Sequence, residues 1–300
     1  MPAEIAFDPD VFHGELTVNR AQVFVRAPRS AELADCTLHG YVHGPRCEFS
    51  HTLPAKYVLT DLGAGPTLLA RTTITDPCYW TSDLPHLYDV HIELRRGSEV
   101  LASEKRQIGL RGIGAKSSGE LVRESKVWVP RGVAIDLLPE LNLVDHLRSE
   151  ALVGLCSSPS LDLLNEASRR GACLIVAVSA DRSDFHEALR SLARWPAVMM
   201  AIVHGETLDS SLRQVAPNLL LAQQIPPGDA TIGYQPAPWA HCIVVDEAGP
   251  FPKLPLPVLA LRIAAESAGR SDCDQLQRDL APRGQFAGYL VDSAAARSRI

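Results

Sequence analysis

The sequence has few of the features that mark membrane, secreted or metal-binding proteins. None of its apolar runs approaches the ~18–20 residues that span a bilayer. Its N-terminal segment, MPAEIAFDPD, lacks the basic and apolar regions of a signal peptide. The seven cysteines are scattered, and no CxxC pair or zinc-like Cys/His spacing occurs. We therefore expect a cytoplasmic protein in a reducing compartment, with no metal, no cofactor and no membrane partner.

An excess of basic residues is also missing. The 29 Lys and Arg residues are outnumbered by 35 Asp and Glu residues, which gives a net charge of −6 with both signs interspersed. Nothing resembles the basic footprint of a nucleic-acid-binding protein. Aromatic residues make up only 6% of the chain, but an apolar content of 46% is enough for a sizeable core. The 300 residues allow one large domain or two ordinary ones.

The pattern of residues changes near position 112. Before that point, strand-like runs are separated by turn residues and show no helical period. The turn Arg95-Arg96-Gly97-Ser98 predicts a hairpin. These features predict an immunoglobulin-like β-sandwich over residues 1–112. The predicted strands are 21–26, 36–42, 67–74, 89–94 and 100–110.

After position 112, strands and amphipathic helices alternate. Residues 160–170 and 183–194 have apolar residues at helical spacing, with Ser160 as a predicted N-cap and Gly171 as a predicted C-cap. Eight strands joined by crossovers predict a (β/α)8 TIM-type barrel over residues 113–300. The predicted strands are 126–135, 151–156, 173–179, 198–204, 218–225, 241–246, 258–263 and 288–292.

The predicted barrel is small and degenerate. It is shorter than the usual minimum of about 200 residues. The connection 248–257 is too rich in proline to hold a helix. An open, doubly wound sheet is therefore the alternative architecture.

The run 194–206, RWPAVMMAIVHGE, ends on a carboxylate at a functionally important place. Its seven consecutive apolar residues predict a parallel strand that is buried on both faces. Glu206 follows that strand directly, and α/β barrels keep their chemistry at the carboxyl ends of their strands. The sequence therefore makes Glu206 a candidate catalytic residue, provided that it has a partner.

Several motifs resemble glycoside hydrolase family 2. The run WTSDLPHLY from Trp80 to Tyr88 resembles the W-S-x-x-x-P-x-L-Y run of that family's immunoglobulin-like domain, and IGLR from Ile108 to Arg111 resembles the F-G-F-R that closes it. Further resemblances are RGV at 131–133 to the first barrel strand, 161–178 to the second helix and third strand, and 195–206 to the H-P-S-I-x-x-W-S-x-G-N-E stretch. The family's N-terminal jelly roll has no counterpart.

The resemblance implies a catalytic pair of which one member is replaced. In that family, a Glu after strand four is the acid/base, and Glu206 matches it. A second Glu after strand seven is the nucleophile, and a retaining pair stands about 5–5.5 Å apart. The family's K-P-V-x-x-S-E-Y-G aligns with 256–264, LPVLALRIA, so Arg262 falls at the nucleophile position. A guanidinium cannot attack an anomeric carbon, because it stays protonated.

Other pocket positions of the family are also altered. The Asn before the acid/base is Gly205, the Arg of strand two aligns with Gly154, and its His-Tyr pair falls near Ser157-Ser158. The acidic residue after strand three is replaced around 178–179. The resemblance thus implies a sugar pocket that has lost most of its charged groups.

Other residues are candidates for an intact site. Asp246, Glu247 and Asp292 follow or end predicted strands, so each is a possible partner for Glu206 at an inverting separation of about 6.5–9.5 Å. The alternative for each of these three residues is a carboxylate that lies in a loop, is solvated and has no catalytic role. His204 is a candidate proton relay, or else a hydrogen-bonded residue of the strand end. In the loop 228–239, Trp239 and Tyr234 are candidates for stacking on a sugar ring.

Two functional hypotheses follow. The first is a pseudo-glycosidase: a catalytically impaired relative that acts as a carbohydrate-binding module or as a module for protein interaction or homo-oligomer formation. The second is an active O-glycosyl hydrolase that uses Glu206 as general acid/base with a displaced carboxylate. The replacement of the nucleophile favours the first.

Overall fold

The described part of the chain divides into two units. The computed structural model describes residues 7–63, 65–138, 142–205, 209–226, 234–249, 251 and 254–294. One unit comprises Met1–Leu110 together with Arg194–Pro196, and the other comprises Arg111–Ala193 and Ala197–Ile300. No helix in the described ranges is long and apolar enough to cross a bilayer.

The first unit contains two antiparallel four-stranded sheets. Their orders are β1-β2-β6-β5 and β4-β3-β7-β8, an arrangement of the immunoglobulin type. The predicted sandwich is thereby confirmed, although three of its strands, β1, β4 and β5, were not predicted. The bounds are β1 Asp10–Thr17, β2 Arg20–Pro28, β3 Cys36–Arg46, β4 Ala55–Val58, β5 Thr60–Asp61, β6 Thr67–Thr75, β7 Leu87–Arg96 and β8 Glu99–Ile108, with a 3-10 turn at Ala31–Leu33.

Alternation of apolar and polar residues explains these strands. In β2, every second residue from Ala21 to Ala27 is buried, and β7 buries Val90, Ile92 and Leu94 in the same way. A side-chain period of two places these residues on the single face that the other sheet covers. The predicted hairpin joins β7 to β8 through Gly97, whose φ of 59° suits glycine in a two-residue turn.

The Trp80–Tyr88 motif has a structural role. The Tyr88 hydroxyl, at the start of β7, accepts a 2.8 Å hydrogen bond from the backbone N–H of Cys78. This is the tyrosine corner of immunoglobulin-like sandwiches. The Trp80 side chain is buried, and the backbone N–H of Trp80 donates to the Leu110 carbonyl at 2.7 Å. The motif therefore fixes how the chain enters β7.

The second unit contains a closed barrel of eight parallel strands, β12 to β19, in which β12 pairs with β19. The predicted barrel is confirmed, and the open sheet is wrong. A three-stranded antiparallel sheet, β11-β10-β9, precedes it. The strand bounds are β9 Ile113–Ala115, β10 Leu121–Arg123, β11 Lys126–Val127, β12 Arg131–Ala134, β13 Val153–Cys156, β14 Cys173–Ser179, β15 Val198–His204, β16 Leu220–Gln224, β17 Cys242–Asp246, β18 Val258–Ala264 and β19 Gly288–Ser293.

The barrel has fewer helices than strands in the described ranges. The helices are α1 Leu143–Ser149, α2 Leu161–Arg170, α3 Phe185–Ala193, α4 Leu212–Val215 and α5 Arg270–Leu280, with 3-10 turns at Ile135–Leu137 and Ala281–Arg283. The Ser160 hydroxyl caps α2 by accepting from the N–H of Leu163, and Gly171 ends it with a φ of 84°. The run 126–135, predicted as one strand, is divided between β11 and β12.

Helix α5 contacts several successive points around the barrel. Arg270, at its start, donates to the Glu150 carbonyl at 3.0 Å, ahead of β13. Asp274 pairs with Arg131 of β12 at 3.0 Å, and Asp279 pairs with Arg262 of β18 at 2.7 Å. A single helix therefore ties together strands from both ends of the barrel sequence.

Candidate functional site at the mouth of the barrel

The carboxyl ends of the barrel strands surround a small cavity, which we call the mouth cavity. Its apolar lining consists of Leu155, Ile175, Ala177, Ile202 and Leu261, joined by the thiol-bearing Cys156 and the polar residues Ser157, His204, Gln224 and Asp292. Its volume within the described residues is about 20 Å³, which is room for about one water molecule. The cavity lies at the face where barrels of this class carry their chemistry.

On β14 and β15, alternation along the strand decides which side chains reach this cavity. Ile202 and His204, two residues apart on β15, both line it. On β19 the lining residue is Asp292, and on β18 it is Leu261. Because neighbouring residues on a strand point to opposite faces, the residues directly before and after Leu261 point away from the interior.

The polar part of the lining can hydrogen-bond to hydroxyl groups. His204, Gln224 and Ser157 offer an imidazole, an amide and a hydroxyl, and Asp292 offers the one carboxylate among the described lining residues. The Asp292 Oδ1 also accepts from the backbone N–H of Ser293 at 2.8 Å. Burial raises the pKa of the Cys156 thiol to about 12, so this thiol stays protonated and is a poor nucleophile.

Arg262 does not face the mouth cavity, which corrects the interpretation that it occupies the nucleophile position of a pocket. Its Nε and Nη2 donate to Glu247 at 2.8 and 2.6 Å, and Nη2 also donates to Asp279 of α5 at 2.7 Å. These hydrogen bonds raise the pKa of Arg262, and the bonds that Arg262 donates to Glu247 contribute most. The side chain of β18 that faces the barrel interior is that of Leu261, one residue before the position that the family motif indicates.

The same error affects Gly154, which aligned with an arginine of the family pocket. A Cβ atom on Gly154 would lie 3.0 Å from Leu174 and 3.1 Å from Leu147 of α1. The position therefore faces the helix layer, and the neighbouring Leu155 lines the cavity. An arginine at 154 could not have served a pocket in this barrel.

The three predicted partner carboxylates have different surroundings. Both carboxylate oxygens of Glu247 accept hydrogen bonds from Arg262, and Glu247 is not among the residues that line the cavity. Asp246 ends β17, and its Oδ1 accepts from the N–H of Ala248 at 3.0 Å in a turn. Only Asp292 lines the mouth cavity among these three.

The predicted aromatic binding residues are also separated. Trp239 is 0% exposed, and its carbonyl accepts from Arg213 Nε at 2.9 Å. In this arrangement the indole presents no exposed ring face to a sugar, and its binding role stays a prediction. Tyr234 is partly buried and is not among the residues that line the cavity.

Glu206 lies outside the described residues, but the backbone that leads to it is defined. Gly205 has a φ of 87°, and a Cβ there would lie 3.7 Å from both carboxylate oxygens of Asp181. The N–H of Ala180 donates to the His204 carbonyl at 2.7 Å, which fixes this approach. Asp181 therefore carries an exposed carboxylate beside the residue that precedes Glu206.

Two further groups near the barrel wall are structural. The buried Arg111 donates to the Asn218 carbonyl at 2.8 Å, and burial lowers its pKa to about 10. His241 Nδ1 accepts from the N–H of Leu221 at 3.0 Å, and its pKa is lowered to about 4, first by burial and then by Arg213. Within the described ranges, no cluster of three or more His, Cys, Asp and Glu residues could hold a metal ion.

The fold and part of the sequence match one family of known proteins. Residues 11–111 match the family model of glycosyl hydrolases family 2. Similar solved structures include a family 2 member from Bacteroides cellulosilyticus, with 14% identity, a TM-score of 0.61, and coverage of 96% of this chain and 44% of that one. A β-D-glucuronidase of Dictyoglomus thermophilum is similar as well, with 13% identity, a TM-score of 0.58, and coverage of 96% of this chain and 61% of that one.

A putative β-galactosidase from Bacteroides fragilis is also similar, with 13% identity, a TM-score of 0.54, and coverage of 95% of this chain and 46% of that one. The chain thus spans less than two thirds of the length of each of these proteins. No curated protein matches the sequence. The predicted resemblance is confirmed: this chain is similar to glycoside hydrolase family 2 in the sequence of its sandwich and in its sandwich-and-barrel fold.

Proposed function

We propose that this chain is a pseudo-glycosidase whose barrel mouth binds carbohydrate without hydrolysing glycosidic bonds. The observation that carries the proposal is the inner face of β18. Leu261 lines the mouth cavity there, and Arg262 is turned outward to Glu247 and Asp279. A retaining glycosidase needs a carboxylate nucleophile at about 5–5.5 Å from its acid/base, and an aliphatic side chain cannot form a glycosyl intermediate.

The polar residues that remain support binding. His204, Gln224, Ser157 and Asp292 border an apolar floor, and a mixture of apolar surface with a few directed polar groups is typical of small-molecule sites. The cavity itself has room for about one water molecule, so it would take a single hydroxyl group of a sugar and not the whole ring. Hydroxyl-rich ligands suit donors and acceptors of this kind. The family resemblance makes sugars the first ligands to test, although this part of the inference is analogy from fold.

Asp292 favours a second candidate function. It is the one carboxylate among the described residues that line the mouth cavity, and Glu206 follows β15 in the same barrel. If the two carboxylates stood about 6.5–9.5 Å apart, they would match an inverting hydrolase, with one as acid and the other as base for water. An active O-glycosyl hydrolase is therefore the alternative.

A paired experiment separates the two functions. Wild type, Glu206→Gln and Asp292→Asn would be tested for hydrolysis of a panel of 4-nitrophenyl glycosides and for binding of the corresponding free sugars by calorimetry. We expect no hydrolysis above the protein-free rate and sugar binding that weakens in Asp292→Asn. Hydrolysis by wild type that both variants abolish would instead establish the hydrolase. Arg262→Gln is the matched control, because its side chain lies outside the cavity.

A further inference from the structure

Two half-buried cysteines lie at one end of the sandwich. Cys47 directly follows β3, and Cys78 lies in the connection between β6 and β7. Both carry free thiols and are partly accessible, whereas four of the other five cysteines are buried. These two thiols belong to loops that the sequence places far apart, and neither has a role in the proposed function.

The loops that carry the two cysteines converge on the entrance to β7. Arg46, the neighbour of Cys47, pairs with Leu87 in the ladder between β3 and β7. The N–H of Cys78 donates to the hydroxyl of Tyr88, the next residue, at 2.8 Å. Two consecutive residues of β7 therefore bind these loops: Leu87 pairs with the neighbour of Cys47, and Tyr88 binds Cys78 itself.

His86 links the same two loops directly. Its Nδ1 lies 3.1 Å from the carbonyl oxygen of Tyr79, so this nitrogen donates. Its Nε2 then accepts from the Ser50 hydroxyl, also at 3.1 Å. The two ring nitrogens of an imidazole are close together, so the loop that contains Cys47 and the loop that contains Cys78 are held within a few ångströms of each other.

The electrostatics of the thiols agree with this geometry. The pKa of Cys78 is raised chiefly by burial and further by the charge of Cys47. This contribution places the two sulfurs within electrostatic range of each other, in agreement with the hydrogen bonds that bring their loops together. Both thiols are partly accessible, as redox-sensitive cysteines are. Because its raised pKa keeps Cys78 protonated, Cys78 is the resolving thiol, and Cys47 is the thiol that meets the oxidant first.

We propose that Cys47 and Cys78 are a redox modification site that closes reversibly into a disulfide. With a hydroperoxide as oxidant, one thiol gives up its proton and the thiolate attacks an oxygen of the O–O bond. That bond breaks, the sulfur becomes a sulfenic acid, and the departing hydroxide or alkoxide takes the thiol's proton and leaves as water or an alcohol. The second thiol then attacks the sulfenic sulfur, the S–O bond breaks and water leaves. The two thiols lose two electrons and the hydroperoxide gains them. A dithiol reverses the bond by exchange.

The disulfide would stabilise the sandwich. It would join the loop after β3 to the loop before β7, across the tyrosine corner. Closing a chain loop of this size restricts the unfolded state, and the corresponding rise in unfolding temperature is roughly 10–15 °C for a domain of this size. The oxidised chain should therefore unfold at a higher temperature than the reduced chain.

Peptide mapping of the full chain tests the proposal. The native protein would be treated with hydrogen peroxide, its free thiols blocked with N-ethylmaleimide, and the product digested with trypsin without reduction. Cleavage after Arg46, Lys56, Arg71 and Arg95 places the two cysteines on peptides 47–56 and 72–95. We expect these two peptides to be covalently joined and to separate on reduction. The same oxidised protein, before digestion, should show the rise in unfolding temperature.

Matched variants decide between the outcomes. Cys47→Ser and Cys78→Ser should each abolish the joined peptide and the temperature shift, whereas Cys156→Ser should change neither. Circular dichroism of the reduced variants would verify that they fold. Three outcomes would overturn the proposal. The first is oxidation of Cys47 and Cys78 by peroxide without formation of the joined peptide. The others are a joined peptide that contains a different cysteine and a disulfide that links two chains through Cys47.

Discussion

The sandwich and the barrel differ in what their recognisable residues do. In the sandwich, the residues that resemble glycoside hydrolase family 2 are structural: Tyr88 forms the tyrosine corner and Trp80 is buried against it. The family model matches residues 11–111 and no part of the barrel strands. In the barrel, the candidate residues have different surroundings: Arg262 is turned outward and Trp239 is buried, whereas His204 and Asp292 line the mouth cavity. Packing in a core therefore accounts for the recognisable residues of the sandwich, but it does not account for those at the barrel mouth.

The largest expected effect tests whether the tryptophans of both regions are core residues. Trp80→Ala and Trp239→Ala should each lower the free energy of unfolding by about 3–5 kcal/mol, because both indoles are almost wholly buried. Urea unfolding at constant pH measures this. A loss of sugar binding in Trp239→Ala with unchanged stability would contradict its assignment to the core and would support a binding role.

The next effect belongs to the barrel alone and depends on pH. His241 has a pKa of about 4 when folded and ~6.5 when unfolded. The unfolded chain therefore takes up the proton first, and stability is lost as the pH falls through this window. We expect His241 to lower the free energy of unfolding by about 2 kcal/mol between pH 7.5 and pH 5.

A matched variant isolates this contribution. His241→Asn keeps an acceptor for the N–H of Leu221 but does not titrate. The difference between the two pH values should shrink by about 2 kcal/mol in the variant. An unchanged difference would show that other groups carry the acid sensitivity.

A smaller effect probes the tyrosine corner. Tyr88→Phe removes the acceptor of the Cys78 N–H while leaving the ring in place. We expect a loss of about 1.5 kcal/mol in the free energy of unfolding, within the range for a buried donor that loses its partner. Tyr57→Phe is a suitable control, because the Tyr57 hydroxyl makes an exposed bond of 3.4 Å to the Thr75 carbonyl. Equal effects of the two changes would weaken the argument that the motif is structural.

The smallest effect tests the direction in which β18 presents its side chains. Arg262→Gln should cost about 1 kcal/mol or less, since the ion pairs that it breaks are partly exposed. Leu261→Gln should cost more, because it places an amide in the apolar lining of the mouth cavity. A larger loss for Arg262→Gln than for Leu261→Gln would contradict this orientation.

The sequence was sufficient for the barrel strands but not for the facing of their side chains. The runs at 173–179 and 198–204 coincide with β14 and β15, because a strand buried on both faces is an unbroken apolar run. That same lack of alternation leaves the inward face undetermined, so Arg262 and Gly154 were each placed one residue out of register. Strand β4 was missed because it is short and mostly exposed at the edge of its sheet.

The contacts of α5 have a consequence for when the barrel can form. The helix lies late in the chain, yet Asp274 binds Arg131 of the first barrel strand and Arg270 binds the segment before the second. Contacts between residues so far apart in sequence make folding slow, because a long loop must close before they contribute. During synthesis, the early barrel strands would wait for α5 to emerge, so the nascent chain would present unfinished strand edges to chaperones until late in translation.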